Sequence, residues 1–296
     1  MQRPRGLSGE TLLEAARRQR RRERLLTAGI YAFLIAASLP LLLGYGWLVL
    51  NSFSEKLVYG VIPQKWTLNN FRFLWELPGR YYPNLWRTTW NTVLLASGMT
   101  LLMLLIATPT AYVISRMQFK ARGFLLPLTL ILHSFPGITL LIALYYVLRS
   151  LNLLNSIAGV FLVKTGLMLP LGIWIMKGFF DGVPWDLEMS GLVDGASRLQ
   201  TLWKIILPQV KPGLAALAIF SFLNGWSEYI FVITFIQNKE SWTLASYVNS
   251  VVGDFQFLDY GLLAATALFY IAPVLIFFLF TQKYLMRVSV GGTKGG

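Results

Sequence analysis

Three titratable side chains, His133, Lys164 and Glu228, interrupt stretches of sequence that are otherwise apolar. A carboxylate, an ammonium and an imidazole in such surroundings could pair, line a polar path or pass a proton, because each is costly in hydrocarbon unless it meets water or a partner. Glu228 is flanked by Asn224, Trp226 and Tyr229; on a helix, Asn224 lies one turn before Glu228 on the same face. Other chemistries are excluded. The chain has no cysteine, hence no disulfide framework, thiolate nucleophile or sulfur-bound zinc, and one histidine cannot build a metal cluster. Its glycine-rich basic end, Gly291 to Gly296 with Lys294, lacks the spacing of a phosphate-binding loop. The chain therefore carries no ATPase or catalytic motif and is expected to hold no cofactor.

The elements that must position these residues follow from composition. A chain of 296 residues that is 55% hydrophobic and 13% charged belongs in a bilayer. Six stretches can cross about 30 Å of hydrocarbon as helices: residues 25–52, 88–115, 123–148, 156–176, 213–237 and 261–282. They are continuously apolar, whereas a membrane barrel would alternate, so the fold class is an all-α polytopic membrane protein with six transmembrane helices. Pro40, Pro109, Pro127, Pro136, Pro170 and Pro273 each remove a backbone donor, and kinks or broken turns are expected there. The first span is too long for a cleaved signal and reads as an anchor. Eighteen Lys and Arg residues fall on the side holding both termini and seven on the other, which places the termini in the cytoplasm.

These assignments divide the chain into a basic tail (1–24), a six-span region (25–285) with an external loop (53–87) and a cytoplasmic loop (181–211), and a glycine-rich tail (286–296). The excess positive charge, +13 overall, sits mostly in the first tail. A short amphipathic helix at 10–24 beside a membrane span suits anionic lipid heads; the pattern gives no footing for nucleic acid.

Within the 181–211 loop, Pro184 can open a helix over Trp185 to Val193, Asp194-Gly195 breaks it, and a second helix runs to Leu207 before Pro208 stops it. Glu188-Met189-Ser190, Asp194-Gly195-Ala196 and Ile205-Ile206-Leu207-Pro208 reproduce the spacing of the "EAA" loop of ABC importer permeases, with Met189 and Ser190 in place of two alanines. The chain resembles such permeases from about Leu25 to its end, above all the second permease of maltose-type carbohydrate importers. Ile62 to Phe71, Ala111 to Phe119, Trp226-Ser227-Glu228-Tyr229 and Gln282 to Leu285 carry the likeness further.

The resemblance implies the type I importer fold and a set of partners: a homologous second permease, two copies of a cytoplasmic ABC ATPase that bind ATP and Mg, an extracytoplasmic solute-binding protein and a small carbohydrate substrate. It implies that Glu188, Met189, Ser190, Asp194, Gly195, Ala196, Ile205, Leu207 and Pro208 seat the ATPase, Glu188 making a polar contact across that interface. It further implies that Gly291, Gly292 and Lys294 reach between the ATPase subunits. Lys164, Asn224, Trp226, Glu228 and Tyr229 are the candidate translocation path. Two readings stay open for Glu228, a path-lining group or an interhelical lock, and two for Lys164, a partner of Glu228 or a group favouring acidic sugars. His133 reads as a packed, hydrogen-bonded residue. The external segment around Asn69 and Asn70 forms a turn and a short interfacial helix, either an anchor or a contact for the binding protein. A gradient-driven secondary transporter or channel is the alternative, although the two halves show no repeat.

Overall fold

Asn84 and Ser156 each start a membrane-length helix. The Asn84 side chain accepts from the backbone of Arg87 at 3.1 Å to open α2 (Leu85–Arg116), and Ser156 accepts from Gly159 at 3.0 Å to open α5 (Ile157–Asp181). Each cap satisfies a donor that a helix start leaves free. A computed structural model of the chain describes residues 9–76, 83–252 and 259–291. In it α2, α5 and α9 (Lys211–Trp226) pack on one another around Met99, Met103, Ala107, Ala111, Met176, Phe180 and Leu217, all fully buried. Small residues allow the close approach: a Cβ at Gly225 would lie 2.8 Å from the Ala96 Cα, and one at Gly172 2.7 Å from the Met103 sulfur.

The C-terminal ends of α2 and α5 meet, Ser115 donating to Asp181 at 2.6 Å, and α9 begins beside them with Gly213 against the Phe179 ring. The 181–211 segment therefore hangs from one end of the bundle. At the far end, α11 (Leu244–Val252) packs against α2 and against α12 (Tyr260–Gly291), while α1 (Gly9–Ser52) lies along α12 with its residues 19–47 exposed and Asn51 and Ser52 buried.

Four stretches are long and apolar enough to cross a bilayer unbroken: Gln19–Ser52, Leu85–Arg116, Ile157–Asp181 and Tyr260–Thr281. The third and fifth expected spans are broken. In the third, α3 (Arg122–Ser134) meets the segment Gly137–Ser150, whose helix α4 is Leu141–Ser150, at 85°. Pro136 sits at that corner, lacking an amide and holding Phe135 extended. In the fifth, α9 stops at Trp226 and α10 (Ile230–Phe235) starts after Ser227, Glu228 and Tyr229. The other five prolines lie inside helices that continue through them. His133, expected to be packed, is exposed in the last turn of α3, because the corner turns that face out of the bundle.

The ends of the chain also depart from expectation. The basic segment is continuous with the first span in α1, a single helix that runs through Pro40. Likewise α12 continues to Gly291, past the expected tail boundary at 286. The 53–87 loop adds a small antiparallel hairpin, β1 (Leu57–Val58) with β2 (Ile62–Pro63), turning through Tyr59 and Gly60 at φ 50° and 74°. The short helix expected near Asn69 is a 3-10 helix, Asn69–Leu74. Its Asn70 amide donates to the carbonyls of Asn51, Ser52 and Ser54 at 3.3, 3.0 and 2.9 Å, closing the end of α1.

A Gly225→Val substitution is expected to separate α9 from α2 and cost about 1–3 kcal/mol. A lowered thermal midpoint in detergent checks it; an unchanged one contradicts the close packing.

Candidate functional site

The 181–211 segment is a stiff helical corner. Helix α6 (Trp185–Val193) ends in the two hydrogen bonds that close a helix on a left-handed residue: Ala196 N–H to the Gly191 carbonyl at 3.0 Å and Gly195 N–H to the Leu192 carbonyl at 3.1 Å. Gly195 takes φ +85°, with open space around it, so conformation and not crowding demands the glycine. One residue later Ser197 caps α7 (Arg198–Thr201): its hydroxyl accepts from Gln200 N–H, and the Gln200 side chain accepts from Ser197 N–H. No slack backbone lies between the two motifs.

After α7 the chain widens into a π-helical turn (Leu202–Ile206), then α8 (Leu207–Gln209), before bending by 77° into α9. The expectation that Pro208 stops the helix is corrected: Pro208 lies in the first turn of α8, and the corner falls at Val210. Proline withholds the amide that an α-turn would need, which accounts for the widened turn before it. Ile205 closes on Gly191, where a Cβ would sit 2.4 Å from the Ile205 Cδ1, so this glycine is required by proximity.

The expected outward contact of Glu188 is also corrected. Its side chain is 0% exposed. Tyr112 donates to Glu188 Oε1 at 2.8 Å, and Arg116 Nε lies 3.4 Å from Oε2, a charge contact without hydrogen-bond alignment. Arg116 Nη2 donates to the Phe180 and Val183 carbonyls at 2.7 and 2.6 Å, and its guanidinium lies 5.0 Å over the Trp185 ring. Helix periodicity explains the inversion: Glu188 and Gly191, three apart, form the inner side of α6, which faces the end of α2. Met189, Ser190, Val193 and Asp194 face out. Of the remaining hairpin residues, Ala196, Ile205 and Leu207 are half-buried and Pro208 is exposed.

The second polar group lies at the break in the fifth span. Lys164 of α5 and Glu228 pair at 2.6 Å, one of the two arrangements open to Lys164 from sequence. Glu228 Oε1 also accepts from Phe231 N–H at 2.8 Å, capping α10, and the ammonium of Lys164 lies 5.3 Å from the Phe231 ring. Thr243 donates to the Glu228 carbonyl. Glu228 is therefore a lock between helices. Asn224, expected on its face, is exposed on the opposite side, because the helix ends at Trp226 before the register can carry through. Trp226, expected in the path, is 3% exposed; it stacks between Phe222 and Tyr270 and donates to the Tyr270 carbonyl. Tyr229 is half-buried, its hydroxyl donating to Asn249 at 2.7 Å. Gly291 is the last residue of α12; Gly292 and Lys294 lie outside the described residues.

Sequence reasoning assigned no role to Tyr112, Arg116, Ser197, Gln200 or Asn249. The Ser197 and Gln200 spacing is a readable capping box, and Tyr112 with Arg116, one turn apart at the end of a span, could have been asked for a buried acid. Asn249 left no local signal.

A bundle of continuous and broken membrane-length helices that carries a capped hairpin at one end is the build of a transport permease. Residues 103–289 match the binding-protein-dependent transport system inner membrane component family, and the chain belongs to it. Membership sets aside the gradient-driven alternative. The chain is 36% identical over 193 residues to the galactooligosaccharides transport system permease protein of Bacillus subtilis, covering 65% of this chain and 68% of that one. It is 32% identical over 206 residues to the sulfoquinovosyl glycerol transport system permease protein of Agrobacterium fabrum (69% and 72%), and 28% over 253 residues to the trehalose/maltose permease protein of Thermococcus litoralis (84% and 90%). Among solved structures, a bacterial ABC transporter involved in import of the acidic polysaccharide alginate superposes with a TM-score of 0.71 at 20% identity, over 95% of this chain and 99% of that one. The fold is thus that of an ABC importer permease.

Two outcomes follow from the site. Lys164→Met strands the Glu228 carboxylate and is expected to cost about 3–5 kcal/mol, while Lys164→Met with Glu228→Gln recovers most of it; thermal midpoints of the two variants decide. Ser197→Ala removes a cap worth about 1 kcal/mol, so backbone amides of α7 should exchange with deuterium roughly fivefold faster.

Proposed function

We propose that this chain forms half of the translocation path of an ATP-driven importer for a carbohydrate, with a homologous permease as the other half. The carrying observation is the two-sided hairpin: its inner residues are tied to α2, and its outer face presents Val193, Leu199 and Trp203 at 87%, 69% and 64% exposure. Large apolar side chains at the end of a membrane bundle, held on a rigid corner, suit a protein partner that covers them. That partner is a cytoplasmic ABC ATPase, two copies serving the two permeases, with ATP and Mg bound there and none in this chain. A solute-binding protein delivers the cargo from the other side.

The excess of Lys and Arg on the hairpin side supports a cytoplasmic hairpin and cytoplasmic termini. Kinship with permeases named for galactooligosaccharides and trehalose/maltose supports a sugar cargo. Closure of the ATPases would push the Gly195 corner; because both helices of the hairpin are capped, the push reaches α5 and α9 undamped, and the path opens alternately to each side.

The test is to purify the complex through this chain and compare wild type with Leu199→Asp/Trp203→Asp. Burying each of these side chains is worth about 1.5–3 kcal/mol, so the double variant should retain at least tenfold less ATPase at an unchanged thermal midpoint. An ATPase retained at wild-type yield would place its seat elsewhere. Stimulation of MgATP hydrolysis by one sugar of a panel, with the solute-binding protein present, then identifies the cargo.

A further inference from the structure

We infer that Arg116 is the positioning residue that couples the hairpin to the spans, acting through Glu188 and touching neither the ATPase nor the cargo. The inference rests on the docking reading above and concerns how a push, once received, travels.

At its far end α6 runs on through α7 and α8 into α9; toward α2 and α5, two routes join it. One is the backbone, Gly182-Val183-Pro184, which links α5 to α6 and can bend at its dihedrals. The other is side-chain: Arg116 at the end of α2 touches the last turn of α5 through the Phe180 carbonyl, the link through the Val183 carbonyl, and α6 through Glu188 and Trp185. One guanidinium thus meets all three elements. Tyr112, one turn before it on α2, holds the other oxygen of Glu188. Of the other polar contacts at this end, Ser115 with Asp181 joins α2 to α5, Lys177 with Asp181 lies within α5, and Arg122 with the Ser115 carbonyl joins α3 to α2; none of them reaches α6.

This contact resists slipping because of where it is buried. The Glu188 side chain is fully enclosed and that of Arg116 nearly so. Separation leaves a buried charge uncompensated, the costly way to break an ion pair. Displacement of α6 therefore carries the end of α2 with it. The planar guanidinium, with several donors in fixed directions, can serve both carbonyls and the carboxylate together, which a lysine head cannot.

The chain lacks cysteine, so a single reporter thiol can be placed in it. With Ser227→Cys, exposed at the break in the fifth span, the rate of modification by a water-soluble maleimide is measured in the purified complex with and without MgATP plus vanadate. Added to this background, Arg116→Met is expected to shrink the nucleotide-dependent change in rate at least fivefold while the ATPase still co-purifies and hydrolyses MgATP. Arg116→Lys should give a partial loss and Tyr112→Phe a smaller one. If Arg116→Met yields no folded chain, Arg116→Lys, which keeps a charge beside Glu188, decides in its place. A full nucleotide-dependent change in both Arg116 variants, even at a lowered thermal midpoint, overturns the inference and leaves Arg116 a purely structural residue. Loss of the ATPase from the variant complexes also overturns it, by making Arg116 part of the seat. A wild-type chain that brings down no ATPase fails the docking reading itself, before any variant is made, and the inference falls with it.

Discussion

A carboxylate shut away from water must be met by a charge or by donors, and two are buried among the described residues. Glu188 at the hairpin end is met by Arg116 and Tyr112 of α2, and Glu228 at the break in the fifth span by Lys164 of α5 and the amide of Phe231. Each pairing joins helices distant in sequence, so each fixes a geometry that apolar packing alone would leave free to slide. Leu, Met and Ala faces tolerate small shifts with little change in energy; a buried ion pair does not. The arrangement of α2, α5, α6 and α9 is therefore pinned at both ends by charge and filled between by Met99, Met103, Met176 and Leu217.

The two pins act on different parts of the chain. Glu228 stabilises an interruption: its Oε1 caps the six-residue α10, which is too short to persist alone. Glu188 stabilises a junction, holding α6 where the α5 backbone ends. Stiffness at that junction is completed locally by the Gly195 turn and the Ser197 cap, which account for the free backbone groups on both sides of the corner. The hairpin thus has satisfied ends and an anchored inner face.

What the sequence could and could not show follows the same division. Membrane length, helical class, the boundaries of α6 and the role of Gly195 depend on local pattern, and Trp185–Val193 falls where Pro184 and Gly195 place it. The Lys164 and Glu228 pair was one of the arrangements the sequence left open, since an intramembrane charge is costly without a partner or water, and the fold realises it. The side to which a residue turns was not. Glu188 reads as an interface residue in a motif and is an interior one in the fold, because the deciding neighbour, Arg116, lies 72 positions earlier. Asn224 and Trp226 were both expected beside the path with Glu228; helix register relates Asn224 to Glu228 only if the helix continues, and it ends at Trp226, which is itself buried. Prolines marked a break only at Pro136; the other five lie inside helices that continue through them.

Exposure carries different information on the two sorts of surface. The outward apolar residues of α3 and α4, such as Leu130, Ile131 and Ile142, need no partner in a membrane protein, because lipid is as apolar as they are. Polar groups at the level of a span are the informative ones. Asn224, exposed beside the break, and the Tyr229–Asn249 pair next to it would be left short of hydrogen bonds against hydrocarbon, whereas the Ser227 hydroxyl already donates to the Leu223 carbonyl. That side of the chain must meet water or another protein. The break in the fifth span thus does two things: it turns Glu228 inward, where Lys164 neutralises it, and leaves uncharged hydrogen-bonding groups on the outside.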